Sequence, residues 1–225
     1  MALNDSDRML LQRIMAAGAM EEQQVRKLAK KLTGEEELTA TDVDQMVNKV
    51  ATSIRAFALD VRRGMYDDGK MYLAVVNTSN DSLTSFGSNF KPWEIVFLRK
   101  AIEEIVDTEE GALEESGLFN LRENTSISEV SELIRKLTTE KWLAPSAVQL
   151  QTHSLTLGPR AYLELITFLR DLQVKKCSIC QYELLQGVKC REGNCEIAIH
   201  NGCIDKYEIR GVRYKCPTCQ QPVRR

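Results

Sequence analysis

Residues 177–219 read Cys177-Ser-Ile-Cys180-Gln-Tyr-Glu-Leu-Leu-Gln-Gly-Val-Lys-Cys190-Arg-Glu-Gly-Asn-Cys195-Glu-Ile-Ala-Ile-His200-Asn-Gly-Cys203-Ile-Asp-Lys-Tyr-Glu-Ile-Arg-Gly-Val-Arg-Tyr-Lys-Cys216-Pro-Thr-Cys219. All seven cysteines of the 225-residue chain lie here, and His200, one of two histidines, sits among them. An odd number of cysteines would leave one thiol over in a closed disulfide set. In a reducing compartment, clustered Cys and His read as metal ligands instead. The spacing is C-x2-C-x9-C-x4-C-x4-H-x2-C-x12-C-x2-C. A C-x2-C turn lets two thiolates reach one tetrahedral ion at about 2.3 Å, and eight ligands make two closed four-coordinate sites. Closed sites with no water position are structural, so the metal itself is not expected to do chemistry. The segment from Lys175 to Arg225 is too short to build a good apolar core. Metal must therefore supply its folding energy, about 10–16 kcal/mol per structural zinc in small fingers. Two Zn2+ are the expected cofactors. Spacing alone leaves the pairing open, because sequential and interleaved assignments both give four ligands per ion.

Upstream of this segment the chain contains no cysteine and reads as helices followed by a hairpin, twice over. Asn4 or Asp5 can cap a helix running to about Ala17, with Gly18 as its stop. A second helix is expected over Glu21–Leu32, ending before Thr33-Gly34. Thr41 is the expected cap of a longer helix from Asp42 to about Arg63, where Val43, Met46, Val47, Val50, Ile54, Phe57, Ala58 and Val61 follow a 3–4 spacing. Asp68-Gly69, between the apolar runs of Met65–Asn77, signals a hairpin. Three helices and a hairpin are the parts of a winged helix. Asn77 to Asn89 is rich in Ser, Thr and Asn and reads as a linker.

The pattern then repeats. Pro92 suits the first turn of a helix to about Val106, and a short element is expected around Leu113–Phe119. Ser126-x-x-Glu129 is a capping box opening a helix with Ile127, Val130, Leu133, Ile134 and Leu137 on one face. Lys141-Trp-Leu leads to Ala144-Pro145, and Val148–Leu157 has strand character, together a second wing. Gly158-Pro159 starts a last helix with Tyr162, Leu165, Ile166, Leu169 and Leu172 inward. His153 reads as a strand or surface histidine. The fold class is mainly α with small β wings (α+β): tandem winged helices over 1–80 and 91–173, a linker at 81–90, and a two-zinc domain over 174–225.

Composition narrows the partners. Hydrophobic residues make up 43% and charged residues 28%, which excludes wholesale disorder. Net charge is −2, so no global basic field drives nucleic-acid binding. The two long mid-unit helices are close to neutral, which favours protein docking over DNA reading. Arg62-Arg63, beside the first wing, keeps a minor phosphate contact open. Apolar runs such as Tyr72–Val76 fall far short of the roughly 20 residues of a membrane span, so no membrane partner is expected. The opening Met1–Arg8 is acidic and polar, unlike a secretory signal. The expectation is a reducing, intracellular setting.

The ligand order, four cysteines, one histidine, three cysteines, resembles both variant RING fingers and PHD fingers. Both families interleave their ligands, which implies Cys177, Cys180, His200 and Cys203 for one zinc and Cys190, Cys195, Cys216 and Cys219 for the other. Ile179 within the first C-x2-C and Pro217 within the last look like RING residues, where they help dock a ubiquitin-conjugating enzyme. The bland readings are a filler between knuckles for Ile179 and a stiffened turn for Pro217. PHD fingers usually carry Trp where this chain has Tyr214, and no aromatic cage for a methylated lysine is evident. Two features depart from strongly activating RINGs: the x4 gap before Cys195, and Gln220 where a basic residue often follows the last ligand.

Together with the opening Arg8-Met-Leu-Leu-Gln-Arg-Ile-Met15, this combination of units resembles the non-SMC element one family across nearly the whole chain. The resemblance implies a subunit of the SMC five/six genome-maintenance complex. It implies a MAGE-domain partner, a kleisin partner and nuclear, chromatin-associated work in recombination-based DNA repair. It also implies RING-type ubiquitin ligase activity aided by the MAGE subunit. The competing reading is a structural interaction subunit whose zinc-stapled module has little ligase activity. A histone-tail reader and a DNA-binding winged helix are further alternatives.

Overall fold

A computed structural model describes residues 2–78, 90–148, 153–190, 195–209, 211 and 213–223. Helix α1 (Asp5–Ala17) starts at Asn4, whose side chain accepts from the Asp7 amide at 2.7 Å while Asp7 accepts from the Asn4 amide at 3.0 Å. Gly18 ends it at φ +67°. Helix α2 (Glu22–Thr33) stops at left-handed Gly34. Helix α3 (Ala40–Ile54) begins at Thr39, which exchanges hydrogen bonds with Asp42 at 3.2 and 2.9 Å. Two boxes of the same type compete here, Thr39-x-x-Asp42 and Thr41-x-x-Asp44. The earlier one is used, so the expected Thr41 cap is displaced by two residues.

The expected continuation of this helix to Arg63 is also wrong. After Ile54 one tight turn, Arg55–Phe57, leads to Ala58 at φ +55°, which breaks the helix. Leu59–Met65 is instead strand β2, in antiparallel register with β3 (Met71–Asn77) from Leu59↔Asn77 to Met65↔Met71. The 3–4 spacing of Phe57, Ala58 and Val61 is coincidental. Phe57 is 76% exposed, while Val61 packs on the α1–α3 core from the strand. The seven-residue ladder satisfies the backbone groups of 59–65 that face β3, and β2 lies at the sheet edge. A short strand that the sequence did not announce, β1 (Met20–Glu21), pairs along the other side of β3, giving the order β1-β3-β2.

The second half uses the same order of elements. Helix α4 (Pro92–Asp107) has Pro92 in its first turn. Strand β4 (Leu113–Glu114) and helix α5 (Glu115–Asn120) follow. Helix α6 (Ile127–Thr139) opens on the expected Ser126–Glu129 box. Strands β5 (Leu143–Pro145) and β6 (Ser154–Leu157) complete a sheet of order β4-β6-β5. The linker expected at 81–90 lies outside the described residues except for Phe90, which packs edge-on against Trp142. The strand expected from Val148 begins at Ser154, and 149–152 lie outside the described residues.

The single helix expected after Gly158 is two, α7 (Pro159–Glu164) and α8 (Ile166–Asp171), because Leu165 leaves helical geometry at φ −102°, ψ 24°. Ala161, Tyr162, Leu165 and Leu169 all reach the second core, around fully buried Trp142, Leu98 and Ile102. Leu163, on the opposite side of α7, joins Ala19, Ala74 and Val76 in a seam between the halves. Lys141 crosses the same seam to donate to the Ala19 carbonyl, and Arg62 donates to the Leu163 carbonyl at 2.6 Å. The C-terminal segment adds the two-residue strands β7 (Val188–Lys189) and β8 (Ala198–Ile199) and helix α9 (Asn201–Glu208). No helix among the described residues is long and apolar enough to cross a membrane.

Candidate metal centre

The eight metal-type side chains fall into two groups. Ligand atoms of Cys177, Cys180, His200 and Cys203 lie within 4.8 Å of one another, and so do those of Cys190, Cys195, Cys216 and Cys219. The groups interleave along the chain. Sulfur separations of 3.4 Å (Cys190–Cys219 and Cys195–Cys216) exclude disulfides, which need about 2.05 Å. His200 turns Nδ1 toward the sulfurs, 3.3 Å from Cys180 and 3.9 Å from Cys203. Atoms bound tetrahedrally at about 2.3 Å sit about 3.8 Å apart, so these spacings suit one ion per group.

The two C-x2-C turns are built alike. The amides of Cys177 and Cys216 donate to Tyr182 and Gln221, at 2.8 Å each. The amides of Gln181 and Gln220 donate back to Cys177 and Cys216, at 2.9 Å each. Both glutamines are left-handed, at φ +64° and +60°, and both turn their side-chain amide onto a carbonyl of the knuckle, Ser178 and Pro217, at 3.2 Å. Gln220 therefore has a local structural job that Gln181 repeats.

The knuckle amides prepare the thiols to ionise. Burial resists ionisation of Cys216, but the amides of Cys219 and Thr218 outweigh it and bring the thiol down to about 6. Cys177 is lowered in the same way, with burial opposed by the amides of Cys180, His200 and Ile179. Burial, then the charges of Cys177 and Cys180, holds the Cys203 thiol up. Burial also lowers the His200 pKa, which keeps the ring neutral and able to donate a lone pair. Crowded sulfurs and a neutral imidazole are a donor set that one dication per group satisfies.

Ile179 is 36% exposed at the tip of the first knuckle, and Pro217 is exposed at the tip of the second. Tyr214 is buried, 3.2 Å from the Ser178 hydroxyl and edge-on to Tyr207, so it packs under the knuckles rather than lining a cage. His153 is exposed and outside both groups. Arg62 and Arg63 are both occupied within the chain. Arg62 is held on the Leu163 carbonyl, and Arg63 pairs with Asp44 and, at 3.7 Å, with Glu22. Both guanidiniums thus already have partners within the chain.

Sequence reasoning missed a junction that holds this segment against both halves. Asp67, in the turn of the first hairpin, is buried and accepts from the Tyr162 hydroxyl at 2.7 Å and the amides of Leu185 and Gln186 at 3.1 Å each. Gln186 accepts from the Ala147 amide at 3.1 Å and donates to the Ser146 hydroxyl at 2.7 Å. Arg170 of α8 pairs at 2.7 Å with Glu183, which is buried. Asp68-Gly69 signalled the turn, but nothing in the sequence said that the residue before it would be enclosed.

A metal-binding RING-like domain closes the chain: residues 177–219 match the family described as "RING-like domain". Residues 7–121 match "Nse1 non-SMC component of SMC5-6 complex", and the chain belongs to this family. It is similar to "Non-structural maintenance of chromosomes element 1 homolog" of Rattus norvegicus, 29% identical over 97% of this chain and 84% of that one. It is also similar to "Non-structural maintenance of chromosomes element 1" of Schizosaccharomyces pombe, 26% identical over 86% of this chain and 84% of that one. Among solved structures, a chain of an "Nse1-Nse3-Nse4 complex" shares the fold, with TM-score 0.79 and 24% identity over 100% of this chain and 99% of that one.

Proposed function

We propose that this chain is a RING-type ubiquitin ligase subunit of the SMC five/six complex, acting in the nucleus on chromatin in recombination-based DNA repair. The supporting observation is the pair of closed four-ligand groups, interleaved, with Ile179 and Pro217 exposed at the knuckle tips. The two halves are read as tandem winged helices, supported by their repeated order of helix, short strand, two helices and hairpin. The solved complex named for Nse1, Nse3 and Nse4 supports a MAGE-domain and a kleisin partner for this chain. Any DNA contact is made through those partners.

Zinc is the metal that this donor set fits, and it supplies folding energy when bound. The ligating thiolates are committed to the ion and are not nucleophiles. Ile179 and Pro217 offer apolar contacts to a ubiquitin-conjugating enzyme, and the gain in rate comes from holding its thioester in an oriented, reactive geometry. The test is discharge of ubiquitin from a loaded conjugating enzyme to free lysine, with the metal-loaded full chain, with and without a MAGE-domain partner. Faster discharge that is lost in Ile179→Ala and Pro217→Ala, with metal content unchanged, supports the reading. No acceleration across a broad enzyme panel rejects it.

A second reading, a structural interaction module, is favoured by Gln220. Its amide is turned onto the Pro217 carbonyl instead of outward, and the position directly after the last ligand carries no cation. Under that reading the assay stays silent while Cys177→Ala still disrupts assembly with the partner.

A further inference from the structure

The first metal group is enclosed by residues from the other end of the chain. Met65 is buried in one cluster with Cys177, Cys203 and Ile204, and with Cys216 of the second group, and Met71 packs against that cluster. Between these methionines the hairpin turn meets the start of α9. A Cβ on Gly69 would come within 2.5 Å of Gly202 Cα, and Gly202 lies between the ligands His200 and Cys203. Asp67 holds the amides of Leu185 and Gln186, in the long loop between Cys180 and Cys190, and ties them to Tyr162 of the second half. The hairpin thus touches the start of α9, between His200 and Cys203, and the loop that runs from Cys180 of this group to Cys190 of the other. The surroundings of the second group are looser. Cys190 and Cys195 border a cleft of about 680 Å3 that opens toward Val106 and Leu172 of the second half.

We propose that the hairpin turn at residues 65–71 is the outer shell of the first metal group. The ion at Cys177, Cys180, His200 and Cys203, whose α9 segment the turn meets at Gly202, is then retained with more help from the N-terminal half than the ion at Cys190, Cys195, Cys216 and Cys219. The physical basis is linkage. Contacts that order the ligand-bearing segments in the folded chain lower the cost of assembling the site, and they show as tighter metal retention. Removing outer-shell partners of metal ligands commonly weakens retention about 10–100-fold. Asp67 and Tyr162 act as positioning residues, since neither touches the ion.

The inference rests on the two-metal reading, and the test separates the two. The full chain is loaded with Co2+, whose visible bands differ between a three-sulfur, one-nitrogen set and a four-sulfur set, and ion loss to excess chelator is followed at both bands. Asp67→Ala removes the acceptor. Tyr162→Phe removes one donor to it while keeping the ring that fills the second core, which guards against a variant that fails to fold. The expected result is loss of the sulfur–nitrogen band about 10-fold faster in Asp67→Ala and several-fold faster in Tyr162→Phe, with a clearly smaller acceleration of the four-sulfur band in both. Equal acceleration of both bands, or of neither, overturns the inference and leaves the two-metal reading intact. A wild-type chain that takes up no ion overturns both.

Discussion

Replacing Gly202 by alanine sets two physical effects against each other. Inside a helix alanine is favoured over glycine by about 1 kcal/mol, so α9 considered alone gains from Gly202→Ala. The junction reverses the sign. A Cβ on Gly202 would lie 2.8 Å from Gly69 Cα and 3.0 Å from the Gly69 carbonyl oxygen. Both are backbone atoms, so no side-chain rotation relieves the contact. Gly69 cannot easily retreat either. It sits at φ +75° in a turn closed by its own amide on the Tyr66 carbonyl at 2.8 Å. Overpacking of this kind costs about 1–3 kcal/mol, so the variant should be less stable by about 1 kcal/mol net. The assay is urea unfolding of the metal-loaded full chain, read by circular dichroism and by tryptophan fluorescence. Both tryptophans, Trp93 and Trp142, lie in the second half, so a shift confined to circular dichroism would place the damage at the C-terminal segment or the first half. A midpoint raised by the amount that propensity alone provides would refute the close approach of Gly69 and Gly202.

Three further outcomes follow from particular contacts. Burial, opposed by the Tyr162 hydroxyl and two amides, lifts the Asp67 carboxyl from 3.8 to about 7. A folded-state value above the unfolded one means the native chain holds the extra proton between the two. This contribution to stability is therefore complete below about pH 4 and is lost as pH rises toward 7, with a slope of at most about 1.4 kcal/mol per pH unit. The difference in unfolding free energy between the chain and Asp67→Asn, measured across this window, should carry that slope, and a flat difference would contradict it. Arg160 pairs with nearly buried Glu164 at 2.6 Å and lies 4.4 Å over the Trp142 ring. Arg160→Ala leaves that carboxylate without its cation and should cost about 3 kcal/mol in urea unfolding, whereas a loss below 1 kcal/mol would mark the pair as ornamental. Stripping metal with a chelator should abolish amide-exchange protection at Cys177, Cys216 and α9 while α1–α3 and α4–α6 keep theirs, because the three cores are separate clusters; uniform loss would show a single cooperative unit.

What the sequence made legible follows the range of the forces involved. Local chemistry was readable. Ser126-x-x-Glu129 and Pro92 start helices where expected, and Asp68-Gly69 turns a hairpin. The ligand spacing was readable because metal geometry is short-ranged and tolerates few residue types. Misreadings arose where tertiary pairing decided the outcome. Residues 59–65 carry a passable helical spacing, and only their ladder with 71–77 makes them a strand. The two-residue strands β1 and β4 are too short to announce themselves and exist because β3 and β6 have open edges. The junction was the least legible of all. Asp67, Tyr162 and Gln186 are distant in sequence and ordinary in type, and only their enclosure makes them consequential.

The two knuckles share backbone geometry down to the left-handed glutamine, so any difference in their behaviour must come from what surrounds them. The loop leaving the first knuckle is turned inward, where Glu183, Leu185 and Gln186 engage Arg170, Asp67 and Ser146. The second knuckle ends the described chain with Pro217 exposed. Inward contacts of this kind fix the module's orientation on the two halves. A finger joined only by a linker would sample many angles, and a partner bound to the halves would have little influence on it. Here the contacts of Asp67 and Arg170, with the close approach of Gly69 to Gly202, hold the Ile179 tip at one angle to the two halves. Dependence of the module's behaviour on a partner bound elsewhere therefore requires no contact between that partner and either metal group.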